Sequence, residues 1–311
     1  MLSKFTFPIT NKLIIFFFLF TPLLSCTNTN LQNTLPDFDE NNAFNHIKKQ
    51  LSFGPRIPDS NGHNKTRKYI IQQLEQNKWE TEIKEINKEH RILNIIGKFG
   101  SGEPLVLIGA HYDTRLISDR DPNNKNISTP VPGANDGASG VAVLLELARI
   151  LPETVNNHQE FGNSNIKQVW LVFFDVEDNG SIPGWEWILG SRAFAESLDI
   201  FPAAVIVLDM IGDENLKIYQ EKNSDPELTK EIWDTADILG YNEAFIPQSK
   251  YRILDDHVPF LEKGIKAVDI IDFEYPYWHT TEDTIDKISP ESLKIVGDTV
   301  YIWLINKQFV Q

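Results

Sequence analysis

The sequence has little cysteine, methionine and positive charge. Its 311 residues include one cysteine and two methionines, which excludes an internal disulfide framework and a metal site built from several thiolates. Lysine and arginine number 29 against 44 aspartate and glutamate residues, giving a formal net charge of −15. Because nucleic-acid binding needs a basic surface to contact phosphates, no nucleic-acid partner is expected.

Long apolar runs are also scarce, since the only one lies near the N-terminus. A polytopic membrane protein is therefore excluded. Hydrophobic residues make up 41% of the chain and charged residues 23%, which is typical of globular proteins and excludes disorder along the whole chain.

The N-terminal apolar run has the features of an export signal. Lys4 and Lys12 precede eight apolar residues at 13–20, a run that is short for a membrane span. Cys26 directly follows Leu-Leu-Ser. This arrangement resembles a bacterial lipobox, in which cleavage leaves the cysteine N-terminal and lipid-modified. The alternative is an uncleaved signal anchor with an incidental cysteine.

We therefore predict a lipoprotein signal peptide at 1–25, a lipidated polar tether at 26–38 and a single catalytic domain at 39–311. The protein is expected to be an exported bacterial lipoprotein, anchored to the membrane on the periplasmic or outer-membrane side through a lipid on Cys26.

The remaining sequence alternates between apolar strands and amphipathic helices. Apolar or alternating runs predict strands at 79–83, 92–99, 105–110, 169–174, 203–208 and 267–271. Helical spacing predicts helices at 39–53, 61–77, 137–151, 227–239 and 290–305. Helices placed between apolar strands indicate a three-layer α/β/α fold with a central, mostly parallel mixed sheet. The polar stretch 153–166 is interpreted as an insertion or surface loop.

Polar residues follow the predicted strands, where ligand sites form in open α/β sheets. They are His111 and Asp113, Asp175, Glu177 and Asp178, Asp209, and Trp278-His279, while Asp136 precedes an apolar helix. Histidine and carboxylates without thiolates are typical of a zinc site with nitrogen and oxygen ligands. Each residue alone has a structural explanation, such as a helix cap for Asp136 or core packing for His279, so it is the combination that indicates a site.

Six motifs together resemble the zinc aminopeptidase-like fold of the peptidase family M28 type, and within it the glutaminyl cyclases. These motifs are His111-Tyr-Asp113, Gly133-Ala-Asn-Asp136, Phe173-Phe-Asp-Val-Glu177-Asp178, Gly190-Ser-Arg192, Leu208-Asp209 and Trp278-His279-Thr280. The resemblance runs from Phe53 to the final helix.

The ligand types alone leave two branches of this fold open. Candidates stand at all five positions of a two-zinc aminopeptidase: His111, Asp136, Asp178, Asp209 and His279. Three features resemble the cyclases instead, namely Asp255 in the segment 254–261, where aminopeptidases tend to have serine, Trp278 before His279, and the stretch 53–58. The chain departs from the usual Glu-Glu pair at Asp178, although aspartate can still ligate zinc.

The resemblance implies a glutaminyl-peptide cyclotransferase, an acyltransferase that converts the N-terminal Gln of peptides or proteins to pyroglutamate and releases ammonia. It implies one zinc ion per chain, held by Asp136, Asp178 and His279. By the same resemblance, Glu177 carries the proton from the substrate's α-amine to the leaving ammonia.

The resemblance also assigns the surroundings of the zinc. Asp209 and Asp255 are acidic neighbours of the reacting groups, Trp278 and either Trp185 or Trp187 form the walls of the glutamine pocket, and His111 is a second-shell residue or a ligand of a second metal. The alternatives are a two-zinc aminopeptidase and a non-catalytic binding lipoprotein on the same fold.

Overall fold

The computed structural model describes residues 35–87, 89–159 and 167–309. Its helices are α1 (Glu40–Leu51), α2 (Asn61–Gln76), α3 (Ala138–Gln159), α4 (Leu189–Glu196), α5 (Pro226–Ile238), α6 (Val258–Glu262) and α7 (Pro290–Phe309), with a 3₁₀ turn at Ile285–Lys287. Its strands are β1 (Glu80–Asn87), β2 (Arg91–Phe99), β3 (Gly102–His111), β4 (Lys167–Phe174), β5 (Ala204–Asp209), β6 (Ile218–Gln220), β7 (Phe245–Ser249) and β8 (Ala267–Ile271). The predicted signal peptide, Cys26 and the tether as far as residue 34 lie outside the described residues.

Six strands form the main sheet in the order β1-β2-β4-β3-β5-β8. Neighbours from β4 to β8 pair in parallel, whereas β2 is antiparallel to both β1 and β4. The sheet is therefore mostly parallel but mixed, which confirms the predicted fold class. Strands β6 and β7 form a separate small parallel sheet that the sequence analysis did not predict.

Helices cover both faces of the main sheet. On one face, Phe194 of α4 and Phe260 of α6 pack against Leu107 and Val205 of the central strands. On the other face, α3 contacts β3, β4 and β5, and also packs against α1 and α7. Burial on both faces explains why the central strands read as continuous apolar runs rather than as alternating patterns.

All predicted helices and strands are present with small shifts at their ends, whereas the short helices α4 and α6 were not predicted. The stretch 153–166 was predicted to be an insertion or surface loop, but α3 extends into it as far as Gln159, and residues 160–166 lie outside the described residues. Thr154 and Val155 are buried, and the Thr154 hydroxyl hydrogen-bonds to Tyr301 of α7, so packing extends the helix past Pro152. Within the described residues, no helix is both long and apolar enough to cross a membrane.

Candidate active site

The carboxyl ends of the parallel strands bring the predicted polar residues together. His111 ends β3, Asp209 ends β5, Glu177 and Asp178 follow β4, and His279 follows β8. Two groups of buried side chains have the spacing of metal ligands, with all ligand atoms of a group within 4.8 Å of one another. These groups are Asp136–Asp178–His279 and His111–Asp136–Asp209, so Asp136 belongs to both.

Asp136 directs one carboxylate oxygen toward each histidine. Its Oδ1 lies 3.2 Å from His111 Nε2, and its Oδ2 lies 3.7 Å from His279 Nε2. Asp178 Oδ1 is 2.8 Å from the same His279 nitrogen, and Asp209 Oδ1 is 3.2 Å from His111 Nε2. The two histidines therefore stand on opposite sides of a shared carboxylate.

Two oxygens in the first group lack a hydrogen-bond partner. Asp136 Oδ2 and Asp178 Oδ2 are both buried and unpaired among the described residues. Leaving a buried carboxylate oxygen without a hydrogen bond costs free energy. A divalent cation with oxygen and nitrogen ligands would satisfy both oxygens, so the residues of this group fit a metal ion.

Burial dominates the electrostatics of the cluster. It raises the pKa of Asp209 to about 7 and that of Asp178 to about 6. Burial, together with the negative charges of Asp178 and Asp255, raises the pKa of Glu177 well above its usual value. A bound cation would stabilise the charged carboxylates and lower these pKa values. Without a cation, Asp178, Asp209 and Glu177 therefore hold protons more tightly than usual, whereas the pKa of Asp136 is lowered by His111 and His279 despite its burial.

Asp113 orients Glu177 and Asp178 through their backbone. Its carboxylate accepts hydrogen bonds from the backbone N–H groups of Glu177 (3.0 Å) and Asp178 (3.3 Å). It also lies 3.5 Å from His111 Nδ1. Asp113 therefore fixes the loop that carries the two acids through backbone hydrogen bonds and places a carboxylate beside the His111 ring.

Three non-glycine residues at the site have positive φ angles. They are Val176 (53°), which precedes Glu177, Met210 (48°), which follows Asp209, and His279 itself (57°). Such conformations cost about 1–3 kcal/mol each and persist only where the surroundings impose them. The strain is therefore concentrated in the segments that position the acids and the histidine.

The backbone of Asp136 is held from two sides. The buried Arg56 guanidinium donates hydrogen bonds to the carbonyl oxygens of Gly133 (2.6 Å) and Asp136 (3.2 Å). Asp283 accepts from the backbone N–H groups of Asn135 (2.8 Å) and Asp136 (3.2 Å). Neither Arg56 nor Asp283 was predicted as a site residue, because their contribution depends on contacts between residues distant in sequence.

Arg115 and Asp119 support the other side of the first ligand group. Arg115 binds the Asp119 carboxylate through two nitrogens (2.9 and 2.7 Å) and donates to the Asp178 carbonyl oxygen (2.9 Å). Asp119 Oδ1 lies 3.5 Å from His279 Nδ1, the ring nitrogen that faces away from Asp178. A carboxylate behind a ligating histidine fixes the orientation of the ring and raises its basicity.

This arrangement predicts that Asp119→Asn weakens metal binding by about 10–100-fold, the usual effect of an outer-shell partner. The measurement is competition for zinc with a chromophoric chelator. Asp234→Asn is the matched control, because Asp234 is exposed on α5 and pairs with Lys230. Equal zinc affinity of the Asp119 variant and the wild type would contradict the assignment.

An open pocket with a volume of about 220 Å³ lies over the ligand groups. Its lining includes Asp136, Glu177, Asp178, Trp187, Asp209, Met210, Arg252, Ile253, Leu254, Asp255, Ile271, Phe273, Trp278 and His279. Most of the predicted site residues are therefore brought together in one pocket. His111 lies beside it, in contact with Asp136 and Asp209.

The structure distinguishes the two candidate tryptophans. The Trp187 ring lies nearly parallel to the His279 ring, with centroids 6.1 Å apart, and lines the pocket. Trp185 is not among the lining residues, and its ring stacks on His90 with centroids 3.7 Å apart. Of the two tryptophans that the sequence left open, Trp187 is therefore the one that lines this pocket.

Behind Asp255 lies a buried polar cluster that the sequence analysis missed. His257 contacts Glu221 (3.1 Å) and Asp269 (3.7 Å) through its two ring nitrogens. Glu221 also accepts the backbone N–H of Ile253 (2.9 Å), so the segment that carries Asp255 is anchored at both ends. Burial and the charge of Asp255 raise the pKa of Asp269 well above its usual value.

Comparisons with known proteins agree with this geometry. Residues 94–304 match the model of peptidase family M28. The chain is 26% identical to a glutaminyl-peptide cyclotransferase from Dictyostelium discoideum, over 90% of this chain and 93% of that protein.

Two solved structures from Bacteroides thetaiotaomicron are similar in fold and sequence. One is a glutaminyl cyclase bound to N-acetylhistamine, with a TM-score of 0.80 and 32% identity over 88% of this chain and 99% of the other. The second is described as a leucine aminopeptidase precursor, with a TM-score of 0.81 and 32% identity over 88% and 98%. Names from both branches therefore occur among the similar proteins.

Proposed function

The chain belongs to peptidase family M28, and from this premise we propose that it is a zinc-dependent glutaminyl-peptide cyclotransferase. Its substrates would be peptides and proteins with an N-terminal Gln, which it converts to pyroglutamate with release of ammonia. The observation that carries the proposal is the shared pocket, in which Glu177 and Asp255 stand beside the Asp136–Asp178–His279 group. Similarity to proteins named as glutaminyl cyclases supports the same reaction.

Asp136, Asp178 and His279 would hold the zinc ion, because their ligand atoms lie close together and two of their oxygens lack partners. When bound, zinc would act as a Lewis acid that polarises the side-chain amide of the substrate glutamine.

Glu177 moves the proton in this proposal. Its carboxylate accepts a proton from the substrate's α-amine as that nitrogen forms a bond to the δ-carbon. The same proton then passes to the departing side-chain nitrogen, the carbon–nitrogen bond of the amide breaks, and ammonia leaves. Glu177 lines the pocket beside the Asp136–Asp178–His279 group, where a positioned carboxylate can both accept and return a proton.

The neighbouring side chains would hold the substrate in a reactive position. Asp209 and Asp255 line the pocket and can accept hydrogen bonds from the α-amine. Trp187 and Trp278 form apolar walls that exclude water. Excluding water favours attack by the substrate's own amine over hydrolysis.

The direct test measures ammonia released from Gln-initiated dipeptides, beside hydrolysis of aminoacyl arylamides by the same preparation. We expect ammonia release without arylamide hydrolysis. Hydrolysis of the arylamides without ammonia release would assign the protein to the aminopeptidases.

The aminopeptidase is the second candidate, because His111, Asp136 and Asp209 form a complete second ligand group. As a cyclase, the protein is expected to retain about one zinc ion per chain, since the amine attacks and no second metal is needed to activate water. Elemental analysis of a purified domain that starts at residue 27 measures the number of zinc ions per chain. Two tightly held zinc ions, one of them on His111, would favour the aminopeptidase.

We also propose that the protein is a membrane-anchored lipoprotein, because the sequence that ends at Cys26 resembles a lipobox. Acyl chains on this cysteine would hold the protein at the membrane. Cys26→Ser is expected to release the protein or leave its precursor uncleaved, while the catalytic domain stays active. Fractionation that found the wild-type protein entirely in the soluble fraction would contradict the proposal.

A further inference from the structure

Arg252 on the wall of the pocket and Arg120 beside it have no carboxylate partner among the described residues. Arg252 is exposed, lines the pocket, and hydrogen-bonds with Asn223. Arg120 is also exposed, and its guanidinium lies 3.8 Å from the ring centroid of Trp278, another lining residue. Both therefore offer free positive charge beside the opening.

Three other accessible arginines on the described surface are paired with acids, whereas the partly exposed Arg67 hydrogen-bonds to Asn64. Arg91, Arg149 and Arg192 lie 2.9, 2.5 and 2.5 Å from the carboxylates of Glu85, Glu146 and Glu262, respectively. In a chain with 44 acidic and 29 basic residues, acidic partners are plentiful. Two unpaired guanidinium groups beside one pocket are therefore positioned to meet an anion supplied from outside.

The inner end of the pocket is acidic, whereas its exposed edge carries positive charge. Glu177 and Asp255, which are buried, and the partly buried Asp209 supply negative charge at the inner end, where the proposed function puts the substrate's amine. Arg252 precedes Asp255 by three residues and lines the same pocket, a separation of at most about 11 Å along the backbone.

The peptide chain beyond the N-terminal Gln must leave through the mouth. Since consecutive Cα atoms are about 3.8 Å apart, the second residue is the first part of the substrate beyond Gln that can meet the exposed guanidinium of Arg252 on the pocket wall. Guanidinium groups bind carboxylates with matched geometry, often through two hydrogen bonds.

We propose that Arg252 and Arg120 determine specificity by selecting substrates with Asp or Glu directly after the N-terminal Gln. This inference rests on the proposed function, because it assumes that the amine of the peptide binds at the inner end of the pocket.

The test compares three C-terminally amidated peptides that differ only at the second residue: Gln-Glu, Gln-Gln and Gln-Lys sequences. Amidation removes the terminal carboxylate, which could otherwise bind the same arginines. We expect kcat/KM at low salt to decrease in the order Glu, Gln, Lys. The Glu-to-Gln ratio should fall by about 2–5-fold in Arg252→Gln or Arg120→Gln, the range for an exposed ion pair, and further in the double variant.

Arg192→Gln is the matched control, because it removes an equal charge from an arginine that pairs with Glu262 outside the pocket. Its Glu-to-Gln ratio should equal that of the wild type. Added salt at 0.5 M should reduce the preference in the wild type, because exposed ion pairs are screened.

A binding measurement separates this inference from the proposed function. Affinities of the three peptides for the Glu177→Gln variant can be read from tryptophan fluorescence, since Trp187 and Trp278 line the pocket. Cyclisation of all three peptides with equal kcat/KM would overturn the arginine assignment and leave the proposed function in place. If binding depends on the charge of the second residue and Arg252→Gln weakens it, but the wild-type protein cyclises none of the three peptides, the arginine assignment stands and the cyclase function is rejected.

Discussion

Glu177→Gln is expected to lower kcat for cyclisation by about 10²–10⁴-fold, the usual contribution of a positioned acid–base group, while the zinc content stays unchanged. Glutamine retains the shape of the side chain and its place in the pocket, but it cannot accept the amine proton. Zinc should remain bound because Asp136, Asp178 and His279 are intact. Steady-state ammonia release and elemental analysis of the same sample measure the two quantities.

Glu186→Gln is the matched control for this variant. Glu186 lies on the same loop and is exposed, but it is not among the residues that line the pocket, so its removal changes the charge without touching the site. Near-full cyclisation by Glu177→Gln with zinc bound would show that another group is the base. Asp209 and Asp255, which line the same pocket, would then be the candidates.

The secondary structure and the ligand positions could be predicted from the sequence for a shared physical reason. The central strands are buried on both faces, so residues 169–174 of β4 appear in the sequence as one apolar run within the bounds that the structure gives this strand. The carboxyl ends of parallel strands meet at one edge of the sheet. Polar residues that follow those runs, such as His111 and Asp209, therefore converge without any knowledge of the loops.

The supporting contacts could not be predicted in the same way. Arg56 holds the carbonyl of Asp136 from 80 positions away, and no local pattern marks such a pair. Asp119 lies in an irregular stretch between β3 and α3. Neither the spacing of a helix nor that of a strand applies there, so the sequence does not indicate which way its side chain points. The side-chain directions of Trp185 and Trp187 could not be predicted either. Ser181 and Ile188 have positive φ angles, which turn the loop in a way that their residue types do not indicate.

Asp136 provides the sharpest test of the proposed metal site, because it alone belongs to both ligand groups. Asp136→Ala is expected to abolish zinc retention, with a loss of affinity beyond the about 10–100-fold typical of outer-shell partners. The fold should survive, since Arg56 and Asp283 bind the backbone of Asp136 rather than its side chain. Zinc content after gel filtration and far-ultraviolet circular dichroism check the two expectations together.

Asp209→Asn is the informative partner variant, since Asp209 belongs to the His111 group and not to the His279 group. If one zinc ion occupies the Asp136–Asp178–His279 group, Asp209→Asn should keep that ion and lose cyclisation activity through the weakened hold on the substrate's amine. A drop from two zinc ions to one in Asp209→Asn would instead reveal a two-metal centre, whose bridging ligand is Asp136. Retention of one zinc ion by Asp136→Ala would reject this ligand assignment, because neither group keeps three ligands once the shared carboxylate is gone.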